Sequence, residues 1–177
     1  MTAVTGTTPT GQRVLGVDPG SRITGFGIID FDGRQSHYVT SGVIRMEEQA
    51  FPERLRAIFD RLGEVIAAHQ PAVAAVEQVF VRRNPDSALK LGQARGAAIC
   101  ACLSRDIELS EYTASAIKQA LTGTGGAGKD QVQHMVRMLL TLSGSLREDA
   151  SDALAVALCH INRHHMDRAL ARQGGGA

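Results

Sequence analysis

The chain has 177 residues, 44% of them hydrophobic, which is enough for one well-buried core and too short to require two domains. Its net charge of +1 excludes a uniformly basic nucleic-acid binder, so any such surface has to come from uneven placement: Arg82 to Lys129 holds seven basic residues against four acids. Cys100, Cys102 and Cys159 lack CxxC spacing, which excludes a thiolate zinc site and a disulfide framework.

Met1 to Gln12 is rich in Thr and Gly with little to bury and reads as a disordered tail (1–12); 169–177 reads as a flexible one, leaving a single domain over 13–168. No apolar run approaches bilayer length and Met1 to Gln12 lacks a signal-peptide core, so a cytoplasmic protein with no membrane association is expected.

Within the domain, Arg13 to Asp30 reads as strand, turn and strand. Val14, Leu15 and Val17 are its apolar members, Gly16 marks the close approach of a neighbour, and Asp18 ends the strand before Pro19 and Gly20. Thr24 to Phe31 and His37 to Met46 continue as strands through an Asp32-Gly33 turn. The three- and four-residue spacing of Leu55, Ile58, Phe59, Leu62, Val65 and Ile66 predicts an amphipathic helix. Ala72 to Val81 reads as a strand buried on both faces and interrupted by Glu77. Then come a helix over Asp86 to Ser104, a strand over Ile107 to Tyr112, and helices over Ala114 to Leu121, Lys129 to Leu142 and Asp149 to His165. Strands first, then alternation, predict an α/β mixed sheet with helices packed on it.

Acids stand where this pattern asks for apolar residues: Asp18, Glu77, and the pair Asp149 and Asp152, whose spacing puts both on the core-facing stripe of the last helix. Converging carboxylates repel unless hard divalent cations balance them, and two Mg²⁺ would suit phosphodiester hydrolysis. Other readings stay open on pattern alone. Asp18 also fits a turn before Pro-Gly, and Asp149 a first-turn acid behind a Ser145–Glu148 capping box; only Glu77 has no local structural use. Gly123 to Lys129 matches GxxxxGK, but Asp130 replaces the Mg²⁺-binding hydroxyl and no strand precedes it, so a glycine loop presenting Lys129 fits better. His160 and His164 have zinc-compatible spacing without a third ligand.

VLGVDPGSRITGFGIID, AAVEQVFVRRNPDSALKLGQARG, KDQVQHMVRMLL and EDASDALAVALCH together resemble the RuvC family of Holliday junction resolvases, in order and spacing from Val14 to about His165. The resemblance implies a ribonuclease H-like fold: a mixed five-stranded sheet with helices on both faces. It implies an endodeoxyribonuclease that resolves four-way DNA junctions by paired Mg²⁺-dependent nicks in recombination and repair, with two ions per site and Mn²⁺ able to substitute. It also implies a homodimer, for which Ala88, Gly92 and Gly96 form a small-residue face, and a RuvA-RuvB branch-migration complex as partner. Carried over by position, Asp18, Glu77, Asp149 and Asp152 are the metal-binding catalytic acids. Phe80, Arg82, Arg83, Asn84, Lys118 and Lys129 are the DNA-binding set. Two alternatives remain beside it: an actin- or sugar-kinase-like ATP-binding protein, and a non-catalytic nucleic-acid binding module.

Overall fold

A computed structural model describes the backbone of residues 11–78 and 84–174, with side chains through 165. Five strands, β1 (Gln12–Asp18), β2 (Ile23–Phe31), β3 (Ser36–Arg45), β4 (Val73–Gln78) and β5 (Glu108–Thr113), form one sheet in the order β3-β2-β1-β4-β5. The first three pair antiparallel, and β4 and β5 run parallel to β1. The parallel pairs require crossovers, which α1 (Phe51–His69) and α2 (Pro85–Leu103) supply; α3 (Ala114–Thr122), α4 (Lys129–Leu139) and α5 (Glu148–Gly174) follow β5.

The two-residue period of a strand divides the core. Leu15, Val17, Ile28, Ala74 and Val76 pack against α1 and α2 through Ile58, Leu62, Ile66, Ala94 and Ala98. Val14, Ile29, Val73 and Ala75 pack on the opposite face against α3, α4 and α5, where Leu154, Val156 and Leu158 dominate. Carried to the strand ends, the same alternation puts Asp18 and Glu77 on the α5 side, and the register Val17↔Val76 sets them side by side.

Local chemistry fixes the connections. In the β2–β3 turn Asp32 Oδ1 accepts from the Arg34 and Gln35 amides at 2.8 Å each, so an aspartate loop, with Gly33 at φ 96, closes the hairpin. Arg13 grips both Asp30 oxygens at 2.7 Å and donates to the His69 carbonyl at 2.8 Å, tying β1 and β2 to the end of α1.

Four boundaries differ from the sequence reading by more than their position alone. α4 stops at Leu139, short of Leu142, because Thr141 turns left-handed (φ 51) and the Leu142 amide reaches back to the Arg137 carbonyl at 2.9 Å, closing the helix. α5 runs beyond His165 and carries helical backbone through 169–174, where the sequence reading has a flexible tail. α5 also opens at Glu148, so Ser145 precedes the helix by three residues and the capping box does not form. The strand expected over Ala72 to Val81 is seen as Val73–Gln78, and its remainder lies partly outside the described residues. Among the described residues no helix is long and apolar enough to cross a membrane.

Candidate active site

Asp18 is held where β1 ends by a buried hydroxyl: Thr24 Oγ1 donates to the Gly20 carbonyl at 3.0 Å and accepts from the Gly20 amide at 3.3 Å, fixing the turn. The opposite wall is α5, which lies against bare backbone. A Cβ on Gly16 would overlap the Ala153 carbonyl, one on Gly25 the Asp149 carbonyl, and one on Gly27 the Leu154 side chain. Gly25 pairs with Asp18 across the sheet, so the approach that these glycines permit brings the first turns of α5, with Asp149 and Asp152, over the end of β1.

All four acids are half-buried, and Asp18 feels the other three. Burial, then the charges of Glu77, Asp152 and Asp149, push the Asp18 carboxyl up to about 7, although Lys129 pulls the other way. Glu77 is raised by burial and by Asp152, and a hydrogen bond joins it to Asp18. Asp152 is raised chiefly by burial, against the stabilising hydrogen bond from Lys129. Lys129 Nζ meets Glu148 Oε1 and lies 3.0 Å from Asp152 Oδ2. Burial opposes its charge, yet the two carboxylates outweigh this and raise its pKa. Lys118, Lys129, Glu77 and Asp152 line a pocket of about 200 Å³ with Ile117 and Val132 as its apolar floor.

In this arrangement no three His, Cys, Asp or Glu side chains among the described residues are set to enclose an ion. The donor chemistry fits a hard divalent cation nonetheless. Only carboxylate oxygens converge, their mutual repulsion calls for positive charge, and the Lys129 ammonium already answers part of it.

Burying these acids beside one another has a measurable cost. Between the ordinary aspartate value and about 7, folded Asp18 keeps a proton that the unfolded chain has released, so rising pH favours unfolding. The loss is on the order of 1.4 kcal/mol for each unit of displacement. Buried His160, whose pKa is lowered chiefly by burial, acts in the opposite sense just below the ordinary histidine value and offsets part of that loss there. Chemical denaturation of metal-free protein is expected to show stability falling as pH rises from about 4.5 to 7 and levelling off above about 7, where Asp18 is ionised in both states. The slope should flatten in Asp18→Asn, and added divalent cation should restore more stability at pH 8 than at 6.5; a flat wild-type profile would contradict the coupled site.

The remaining sequence-derived residues separate clearly. Asn84 caps α2, its Oδ1 accepting from the Asp86 and Ser87 amides at 3.0 and 3.4 Å. Phe80, Arg82 and Arg83 lie outside the described residues. In the glycine loop Gly123 ends α3 at φ 77 and Gly128 caps α4, so the loop delivers Lys129 to the acids. His160 is joined to Tyr112 by a hydrogen bond of 2.9 Å and stacks on His164 at 5.7 Å. Glu148 is the residue the sequence reading missed as part of the site. Its signal was available, since it lies one helical turn before Asp152.

A five-stranded sheet in this order, with helices on both faces and carboxylates from β1, β4 and α5 gathered at one end, defines an α/β nuclease of the ribonuclease H-like class. Residues 14–160 match the family model described as crossover junction endodeoxyribonuclease RuvC. The chain is 56% identical over 162 residues to the crossover junction endodeoxyribonuclease RuvC of Alkalilimnicola ehrlichii, covering 92% of this chain and 98% of the relative. Its fold is similar to Thermus thermophilus RuvC in complex with Holliday junction substrate, with TM-score 0.83, 33% identity, and 88% and 96% of the two chains covered. The yeast mitochondrial Holliday junction resolvase shares the fold at TM-score 0.66 and 13% identity, over 89% of this chain and 81% of that one. The chain belongs to the RuvC family of crossover junction endodeoxyribonucleases.

Proposed function

We propose that this endonuclease is Mg²⁺-dependent, binds two ions per site through Asp18, Glu77, Asp149 and Asp152, and resolves four-way DNA junctions by paired nicks during recombination and repair. The observation that carries the reading is the convergence of the four acids from three elements, Asp18 feeling all the others. Bound ions would supply water activation and leaving-oxygen stabilisation, Mn²⁺ being chemically able to replace Mg²⁺. The chain's own part is to hold the donors: the Thr24 turn fixes Asp18, β4 fixes Glu77, and the glycine contacts fix Asp149 and Asp152. Lys118 and Lys129 offer cations beside the acids for phosphate, and Phe80, Arg82, Arg83 and Asn84 complete the proposed DNA surface. The reading extends to a cytoplasmic enzyme working with a RuvA-RuvB branch-migration complex. The ATP-binding and non-catalytic alternatives lose their support, because the match is to an endonuclease family and GTGGAGK joins two helices without a preceding strand.

The experiment is incubation with a synthetic four-way junction, a linear duplex and an RNA–DNA hybrid, each with Mg²⁺ or Ca²⁺. Junction cleavage with Mg²⁺ and little cutting of the other two substrates is expected. Comparable cutting of linear duplex would overturn the structure-specific assignment.

A two-fold symmetric junction suits a two-fold enzyme. On α2, Gly92 is exposed, an added Cβ at Gly92 or Gly96 would meet nothing within 4 Å, and neighbouring Leu89 is 62% exposed. Gly92→Arg is therefore expected to leave the fold intact and convert a dimer to monomer in sedimentation; a wild type monomeric at micromolar concentration would remove the basis for the dimer.

A further inference from the structure

At the end of the sheet away from the acids lies a second concavity, of about 580 Å³, between the start of β3, the end of α4 and the middle of α5. Asp18 pairs with Gly25 at one end of the β1–β2 ladder and Gln12 with Phe31 at the other, a separation of roughly 20 Å at ~3.3 Å per residue. Phe31 lines this cavity, so it is distinct from the catalytic pocket.

Three features of it combine. The first is exposed apolar surface. Tyr38, Met138 and Leu139 are 38%, 63% and 41% exposed, and they are three of the five large apolar side chains exposed among the described residues; all three line this one cavity. Such clustering, unlike scattered exposure, marks a contact surface. The second is charge. No Asp or Glu lines the cavity; His37, which does, is paired with Asp32 at 3.0 Å, whereas Arg34 lines it and among the described residues makes no ion pair. The third is backbone. β3 is an edge of the sheet, and its ten residues contain no Pro, Lys, Asp or Glu, the side chains that usually blunt an edge. Its ladder with β2 shifts register at Ile28/Ile29, leaving Val39 as the extra residue, and the segment before it, Ser36 to Tyr38, borders the cavity.

We infer that this cavity and the adjoining β3 edge dock a short, extended protein segment carrying acidic and apolar side chains. The edge of β3 supplies main-chain donors and acceptors, Phe31, Tyr38, Met138 and Leu139 take the apolar side chains, and Arg34 meets the acid. Nucleic acid is the poorer occupant, because the exposed lining includes the large apolar side chains Met138 and Leu139, while a segment with acids alternating with apolar residues matches both the cation and the floor.

The test is selection of a displayed library of random short peptides on the wild-type protein, followed by titration of the synthesised consensus peptide. A convergent acidic and apolar consensus is expected. It should bind with one-to-one stoichiometry, and about tenfold or more weakly to Met138→Asp and, as a second exposed position, to Leu139→Asp. Asp18→Asn should bind the peptide as wild type does, and Met138→Asp should cut junction DNA at the wild-type rate. Failure of the selection to converge, or equal binding to both groove variants, overturns the proposal. A loss of junction affinity in Met138→Asp reassigns the groove to DNA, and a change in that variant's oligomeric state reassigns it to a second copy of the chain; either result also overturns it.

Discussion

Asp18→Asn is expected to abolish junction cleavage in practice, by roughly 10³-fold or more, while junction binding persists or tightens. The side chain keeps its size, so the turn held by Thr24 should survive. What disappears is one negative charge at the point where Glu77, Asp152 and Asp149 all act, and with it the central donor for a cation. The cations that would meet phosphate, Lys118 and Lys129, remain, and a less negative pocket repels DNA less. Glu77→Gln should follow the same course, since Glu77 shares a hydrogen bond with Asp18 and lies on the neighbouring strand. The measurement is single-turnover cleavage and equilibrium binding of one junction by wild type and both variants. Near-normal cleavage by either folded variant would remove the metal-binding role of these acids.

A second large effect is expected from a residue with no side chain. Gly16→Ala places a methyl group where the Ala153 carbonyl and the Ala157 amide lie, and neither is a flexible group that can turn aside. α5 must shift from the sheet, at a cost of about 1–3 kcal/mol. Because α5 carries Asp149 and Asp152, the folded fraction should also lose cleavage, with weaker divalent-cation binding. Denaturation midpoints together with activity per folded molecule check this, and full activity with full stability in Gly16→Ala would contradict the close approach of α5.

The sequence by itself determined which face each residue of an element presents. Strand alternation placed Val14, Gly16 and Asp18 together, and helical spacing aligned Asp149 with Asp152, because both periodicities are local consequences of backbone geometry. It also exposed Glu77 as an acid without local use, and its motifs agreed with the family that residues 14–160 match. Gly16 was legible as a close approach, but its partner was not, and nothing local distinguished Gly25 and Gly27 from ordinary strand glycines; their role depends on α5, more than a hundred residues away. Tertiary structure alone decided that Lys129 turns to Glu148 and Asp152, since an ion pair between two helices depends on how they pack. It gave Asn84 a capping role, which depends on where α2 begins. It stopped α4 at Leu139 through a left-handed Thr141, a conformation that threonine's own preferences do not announce. The groove beside β3 was equally illegible: its apolar side chains belong to segments about a hundred residues apart, and side chains so separated form one surface only when the chain brings them together.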